Sequence, residues 1–255
     1  MNFRALVVLL TLSGFYLHWR WVPPSLARDV YRNFSELQKA HREGNDFEVT
    51  VRDLNAKWTV FAIHGGTIER GTELLAKLLA PIRTNLYVFE SRLCPNLGVD
   101  EFSRSLCVRG TAGNLHLTSH HFDDPRAVKL AEKSRQCMSL HGFRSHKNAL
   151  EVMIGGLSSN LKARASVAFR QFVPEVVMIP PSTTLGGTHP QNIVNRCLEQ
   201  GVQIELSGPV RVKVVQNRAF RERFLRALEA VFFAGDEGVH SDASRLPSGS
   251  GGESR

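Results

Sequence analysis

Apolar and polar residues alternate along the chain with two periods, one typical of strands and the other of helices. Segments rich in apolar residues predict strands at residues 47–51, 58–63, 85–89, 115–118, 136–140, 150–154, 175–179 and 202–206. Residues 47–51 alternate strictly, as an outer strand does, whereas residues 58–63 are almost continuously apolar, which is typical of a strand buried on both faces. The chain therefore carries enough strands for a large sheet.

Helical periodicity separates most of these strands from one another. It predicts helices at residues 35–42, 72–80, 125–134, 158–172, 191–198 and 218–233. Ser35 and Gln38 have the spacing of a capping box, and Asp123 or Asp124 precedes a proline in the first turn of its helix. Because helices connect successive strands, we expect an α/β fold with a mixed, largely parallel sheet and helices on both faces.

The two ends of the chain differ from this folded middle. Arg4 precedes an apolar run at residues 5–17, which is short for a membrane span but suits the core of a signal peptide. Small residues at 25–27 offer a cleavage site, whereas Trp19 and Trp21 are typical of an uncleaved anchor at a membrane interface. We expect residues 1–27 to be an export signal or a membrane anchor, with any membrane contact confined to them.

The C-terminal residues 235–255 consist of Gly, Ser and charged residues, which predicts a disordered tail. One folded domain at residues 28–234 remains. An export signal predicts a secreted or extracytoplasmic protein, and an anchor predicts attachment to the membrane through the N-terminus.

Composition and charge narrow the class of protein. The 255 residues are 42% hydrophobic and 22% charged, which excludes wholesale disorder, collagen and an array of membrane spans. The formal net charge is +8, and it belongs to the folded domain because the two end segments carry equal numbers of acidic and basic residues. Such a charge attracts polyanions. Nucleic acid is not expected, because basic residues are not interleaved with aromatic ones and no helix-turn-helix or RRM signature occurs.

The four cysteines do not form a CxxC pair, which argues against a zinc knuckle. Cys137 and Cys197 lie in apolar segments and are predicted to be small buried hydrophobic residues. Cys94 and Cys107 share a polar, loop-like stretch, where they are either free or joined by a disulfide if the protein is exported.

Ionisable residues occur where the predicted strands end. His64 and His141 each follow a predicted strand directly, and Glu205 lies inside one. In open α/β sheets, ligands bind beyond the carboxyl ends of the strands. Two histidines, a carboxylate and a water form the usual hydrolytic zinc site, so His64, Glu69 and His141 are the predicted ligands. Glu205 is the predicted general base, because an unpaired carboxylate in an apolar strand costs several kcal/mol.

The same residues also permit ordinary roles. His64 is alternatively a hydrogen-bonded loop residue, Glu69 a helix-capping acid, and Glu205 a water-facing residue of an edge strand. A second group of His116, His120 and His121 near two aspartates also has the composition of a metal site. Adjacent side chains of an extended segment point to opposite sides, so we expect His116 to line the site and the other two to lie at the surface.

The segment from His64 to Glu73 resembles the start of a known family, the phage-type poly-γ-glutamate hydrolases. These are zinc enzymes with a carboxypeptidase-like α/β fold. The resemblance continues, in the order of the family, through residues 114–119, 122–125, 139–142, 192–196 and 201–207. It covers nearly all of the folded domain, and the combination of segments is specific although each alone is weak.

The resemblance implies that His64, Glu69 and His141 bind Zn²⁺ and that Glu205 is the catalytic carboxylate. It also implies hydrolysis of the γ-linked amide bonds of an anionic polymer, poly-γ-glutamate. Arginine binds carboxylates in bidentate fashion. The candidate substrate-binding residues are Arg70, His116, Asn192, Asn195, Arg196 and Arg211.

Two other interpretations stay open from the sequence. The same zinc site is compatible with another substrate, such as a γ-D-glutamyl bond of peptidoglycan or a peptide. A non-catalytic module that binds polyanions also agrees with the net charge of +8.

Overall fold

A seven-stranded mixed sheet runs through the protein, as a computed structural model of residues 29–80, 83–93, 115–145 and 147–233 shows. The predicted signal or anchor at residues 1–27 and the predicted tail at 235–255 lie outside the described residues. No helix within the described ranges combines the length and the apolar character that crossing a membrane requires.

The seven strands are β1 (Phe47–Arg52), β2 (Trp58–Gly66), β3 (Asn85–Ser91), β4 (Gln136–Phe143), β5 (Glu151–Gly155), β6 (Val177–Met178) and β7 (Gly201–Ser207). Their order across the sheet is β1-β3-β2-β4-β7-β5-β6. The four central strands β3, β2, β4 and β7 are parallel, β1 and β5 run antiparallel to their inner neighbours, and β6 is parallel to β5. The predicted mixed, largely parallel sheet is confirmed.

The helices of the described residues are α1 (Phe34–Ala40), α2 (Thr72–Leu79), α3 (Pro125–Lys133), α4 (Ser159–Phe172), α5 (Gly208–Gln216) and α6 (Arg218–Phe233). Two separate apolar clusters pack them against the sheet. One cluster contains side chains of α2, α4, α5 and α6, and the other contains side chains of α1 and α3. Helices therefore cover both faces, as predicted.

The connections between strands change direction across the sheet at β2. The chain passes from β2 to β3 on one side and later returns to β4 on the other side. Such a switch point opens a crevice at the carboxyl ends of the two strands, where α/β proteins bind their ligands. His64 lies near the end of β2 and His141 near the end of β4, so the fold brings both histidines to this crevice.

Several local predictions were wrong because tertiary contacts replaced regular structure. Residues 115–118 form no strand, since Asp29 binds the backbone N–H of Thr118 and His64 binds the carbonyl of Leu117. The helix predicted at 191–198 is only a 3-10 turn, Ile193–Arg196. Helix α1 is capped by Asn33 rather than by the predicted Ser35 capping box.

Helix α5 was not predicted at all. Its valines are β-branched, and such residues favour strands over helices. The helix begins nevertheless because the hydroxyl of Ser207 accepts a hydrogen bond from the N–H of Val210 and a proline occupies its first turn.

A disulfide bond corrects the prediction for two of the cysteines. Cys137 and Cys197 are buried, as expected, but they are bonded to each other, with their Cα atoms 6.1 Å apart. The sequence did not indicate this pairing, because 60 residues separate the two cysteines. Cys94 and Cys107 lie outside the described residues, so their state stays a prediction.

Removal of this bond should destabilise the protein. A cross-link spanning 60 residues restricts the unfolded chain and stabilises the folded state by about 4 kcal/mol in the chain-entropy model. We expect the double variant Cys137→Ala/Cys197→Ala to lose about 2–4 kcal/mol of unfolding free energy in urea. Peptide mapping of the parent protein without reductant should find the two cysteines linked. Adding reductant to the double variant, which lacks this disulfide, measures any effect of the reductant on stability that does not come from the bond. Equal stability of variant and parent protein would contradict the prediction.

Candidate metal centre and active site

Two imidazoles and a carboxylate meet at the crevice between β2 and β4. The Nδ1 atoms of His64 and His141 are 3.1 Å apart, and Glu69 Oε1 lies 3.0 Å from the Nδ1 of His64. The other oxygen of Glu69 is 3.7 Å from the Nδ1 of His141. Both histidines are buried, and the Glu69 side chain is 12% exposed. The structure thus brings together the three predicted metal ligands.

The orientation of the His64 ring follows from a backbone carbonyl. The Nε2 of His64 lies 2.8 Å from the carbonyl oxygen of Leu117. A carbonyl only accepts hydrogen bonds, so Nε2 carries a hydrogen, and Nδ1 is the ring atom that faces Glu69 and His141. Histidines that bind metal ions are oriented by partners of this kind.

Burial and charge shift the pKa values of these groups in opposite directions. Burial lowers the pKa of His64, but the Glu69 carboxylate raises it, and the net shift is upward. Burial alone would raise the pKa of Glu69, but His64, and more weakly His141, lower it to about 2. Burial lowers the pKa of His141 to about 3, although the Glu69 carboxylate opposes this shift. A neutral imidazole beside an ionised carboxylate is the state in which both groups bind a metal ion.

The donor set fits a single divalent cation. Ligand atoms about 2.0–2.2 Å from a tetrahedral zinc ion are about 3.3 Å from one another, close to the observed separations of 3.0, 3.1 and 3.7 Å. Among the described residues, His141 Nε2 and Glu205 Oε2 are buried atoms without a hydrogen-bond partner. Two imidazoles and a carboxylate are also the ligand types that zinc prefers.

His116 is a second neighbour of the same pair. Ligand atoms of His64, Glu69 and His116 lie within 4.8 Å of one another. However, the His116 ring stacks on His64 at 4.2 Å with an interplanar angle of 29°, and its Nδ1 lies 3.0 Å from an oxygen of Asp29. A metal ion lies in the plane of the ring that binds it, so stacked rings are poorly placed to share one. This geometry favours His141 as the third ligand and His116 as a residue that lines the site.

Two glycines shape the loop that returns Glu69 to the histidines. Gly66 has φ +68°, and a Cβ there would lie 2.2 Å from the carbonyl oxygen of Ser91. Gly71 has φ +101°, which also favours glycine. The carboxylate of Glu73 accepts hydrogen bonds from the N–H groups of both glycines, at 3.3 and 2.9 Å. Sequence reasoning missed this role of Glu73, whose only signal is an acid in the first turn of α2.

Glu205 lies across from His141 on the neighbouring strand. The two residues are paired in the register of β4 and β7, and β7 lies between β4 and β5, so Glu205 is not on an edge strand. Its Oε1 accepts a hydrogen bond of 2.8 Å from Gln203. Burial, reinforced by the charge of Glu69, raises the pKa of Glu205 well above its usual value. A raised pKa makes the ionised carboxylate a stronger proton acceptor, as a general base requires, and the protonated form can then act as the acid.

Hydrogen bonds from Gln203 and from the two predicted asparagines hold the surroundings of Glu205 in place. Asn192 donates to Gln203 Oε1 at 2.8 Å. The side-chain amide of Asn195 donates to the carbonyls of Gly187 and His189 and accepts from the N–H of Leu157. Both asparagines are thus engaged with the protein itself, and their contact with substrate stays a prediction. Sequence reasoning did not single out Gln203.

The three predicted arginines make different contacts. Arg211 is buried, and a Cβ on Gly142 would lie 2.6 Å from its Nε, so the guanidinium covers Gly142. The N–H of Gly142 in turn donates to Glu69 at 2.8 Å. Arg70 contributes its carbonyl oxygen to Arg211 at 3.1 Å, and Arg196 donates to the carbonyl of Gln191. Arg211 is the arginine that the fold places against the ligand residues.

The sequence is similar to a described family and to proteins of Bacillus subtilis strain 168. A family model described as poly-gamma-glutamate hydrolase matches residues 31–97 and 101–233. The UPF0714 protein YndL is 29% identical over 240 residues, which cover 91% of this chain and 87% of YndL. The SPbeta prophage-derived UPF0714 protein YoqZ is 30% identical over 183 residues, which cover 71% of this chain and 60% of YoqZ.

Two solved structures share the fold. A bacteriophage poly-gamma-glutamate hydrolase superposes with a TM-score of 0.66 at 30% identity, covering 82% of this chain and 98% of its own. Zinc-free apo YndL superposes with a TM-score of 0.65 at 26% identity, covering 82% of this chain and all of its own. These matches confirm the carboxypeptidase-like α/β fold. Since the family model spans nearly the whole described domain, the chain belongs to the poly-gamma-glutamate hydrolase family.

Proposed function

We propose that this protein hydrolyses the γ-linked amide bonds of poly-γ-glutamate at a zinc site formed by His64, Glu69 and His141, with Glu205 as the general base. The observation that carries the proposal is the convergence of three side chains whose facing atoms are 3.0 to 3.7 Å apart, opposite a buried carboxyl group on the adjacent strand. Zinc is supported by this donor set and by the zinc-free form in which YndL was solved.

A bound zinc ion would supply Lewis acidity toward the amide carbonyl and toward the attacking water. Glu205 takes the proton of that water and delivers it to the leaving amide nitrogen, so its raised pKa suits both transfers. The hydrogen bond from Gln203 fixes one oxygen of Glu205 and leaves the other for the proton. Arg211 adds a fixed positive charge beside the ligands, where charge develops on the substrate.

The charge of the protein agrees with a polyanionic substrate. Poly-γ-glutamate carries one carboxylate per residue, and the chain carries a net charge of +8. A binding module without catalysis would not need a buried carboxyl group beside a metal site. A γ-D-glutamyl bond of peptidoglycan is the competing substrate, and analysis of the products from both polymers distinguishes the two.

We also propose that the protein is secreted or extracytoplasmic, or attached to the membrane through its N-terminus. The disulfide between Cys137 and Cys197 is of a kind that persists in oxidising compartments. The N-terminal apolar run agrees with export, either as a cleaved signal or as an anchor.

Metal removal tests the zinc site. A chelator should abolish cleavage of poly-γ-glutamate, and Zn²⁺ should restore it, with one zinc bound per chain. Zinc at 100 times its dissociation constant should also raise the unfolding free energy by about 2.7 kcal/mol. Mg²⁺ is the control, because it prefers oxygen ligands and should restore nothing. Full activity of demetallated protein would remove zinc from the proposal.

The Glu205→Gln variant tests the general base. This change keeps the size of the side chain and removes its ability to accept a proton, so kcat should fall by about 10²- to 10⁴-fold. Zinc content should stay at one per chain, because Glu205 is not a proposed ligand. Glu229→Gln, an exposed change on α6, is the matched control. A kcat near that of the parent enzyme would exclude Glu205 as the base.

The Glu73→Ala variant tests the support of the ligand loop. Loss of the two hydrogen bonds to Gly66 and Gly71 should loosen the placement of Glu69 and weaken zinc binding by about 10- to 100-fold. Glu229→Ala, an exposed change on α6, is the control. Competition with a chromogenic chelator measures both affinities, and equal values for the two variants would assign Glu73 no role in positioning.

A further inference from the structure

A row of imidazoles leads from the metal centre to the protein surface. From the centre outward, it consists of His116, His121, His120 and His189, which we call the histidine row. Its inner end stacks on His64 at 4.2 Å. The carboxylate of Asp29 joins the first two members, with oxygens 3.0 Å from His116 Nδ1 and 2.8 Å from His121 Nδ1. Ring contacts continue the row. The ring centroids of His121 and His120 are 4.1 Å apart, and those of His120 and His189 are 4.5 Å apart.

The outer end of the row lies on the same side as the catalytic carboxyl group. The side-chain amide of Asn195 donates hydrogen bonds to the carbonyls of Gly187 and His189, and these bonds fix the loop that carries His189. A Cβ on Gly187 would lie 2.7 Å from Oε1 of Gln203, so this loop packs directly on the residue that binds Glu205. The row therefore runs past the centre from the ligand His64 to the loop behind Glu205.

The geometry of the outer rings suits anions better than metal ions. The rings of His120 and His189 are stacked at an interplanar angle of 29°, and stacked rings are poorly placed to bind one ion in both ring planes. The Nδ1 of His189 accepts a hydrogen bond from the N–H of Gln191, so its Nε2 carries a hydrogen and can donate. His189 is exposed and His120 is partly exposed, which leaves them accessible to a large ligand.

We propose that His120 and His189 form a subsite that binds carboxylates of the polymer on one side of the scissile bond. The identity of the polymer rests on the proposed function, whereas the subsite rests on the histidine row. Imidazole N–H groups donate to carboxylates, and protonated imidazoles also attract them by charge. A short substrate that fills only the reacting centre does not reach this subsite, whereas a long chain does.

The test compares a long poly-γ-glutamate with a short γ-linked glutamate oligomer. His120→Ala and His189→Ala should each raise KM for the polymer by about two- to fivefold, the range of an exposed ionic contact, with kcat unchanged. KM for the short oligomer should not change. His120→Lys and His189→Lys should keep the KM of the parent enzyme for the polymer, because lysine restores a cationic donor. Arg226→Ala, an exposed change on α6 over the other face of the sheet, is the control.

Binding of the polymer to the Glu205→Gln variant separates this proposal from the proposed catalysis. In that background, His120→Ala with His189→Ala should raise the Kd for poly-γ-glutamate by more than the about two- to fivefold of either single change, although the effects of two rings in contact need not multiply. An unchanged Kd, or an equal loss for polymer and short oligomer, would overturn the subsite. Absence of cleavage by the parent enzyme would overturn the proposed function alone, since the Kd comparison does not depend on turnover.

Discussion

The Nδ1 atoms of His64 and His141 and a carboxylate oxygen of Glu69 share one small buried volume, and the surrounding structure serves to keep them there. Removing these groups from water costs several kcal/mol each unless they are paired. The attraction between Glu69 and the two imidazoles offsets part of that cost, and a divalent cation would offset more. The switch point between β2 and β4 supplies the positions from which the two histidines meet.

Side chains, rather than regular elements, hold the segments around this centre. Glu73 ties both ends of the loop that carries Glu69, and Asn195 ties the loop that packs behind Glu205. The carbonyl of Leu117 orients His64 from a stretch without secondary structure. Each of these contacts joins loop backbone to a side chain of a regular element, with Glu73 in α2, Asn195 in the 3-10 turn and His64 in β2. The reactive groups therefore keep their positions although most of them lie at the ends of strands or in loops.

The disulfide and the register of the sheet act on the same pair of strands. Cys137, the second residue of β4, is paired with Gly201, the first residue of β7, and Cys197 lies four residues before Gly201. Further along, the same two strands carry His141 and Glu205 as direct neighbours. A cross-link at one end of the pair thus limits sliding at the other end, where the proposed ligand faces the proposed base. Formation of this disulfide would then favour the arrangement of the site.

The sequence by itself predicted the seven strands of the sheet, most helices and the residues of the candidate centre, because burial imposes periodicity and because ionisable groups in apolar strands require a partner. It also predicted a strand at 115–118 that does not form. It did not determine how the residues of the centre meet. The pairing of β2 with β3 is irregular between Ala62 and Gly65, so alternation along the chain does not say on which side His64 lies. The disulfide, the stacking of His116 and the contacts of Asp29, Glu73 and Gln203 join residues through space or through loop backbone. Only the packed chain decides such contacts, because their energies depend on distance and orientation rather than on order in the sequence.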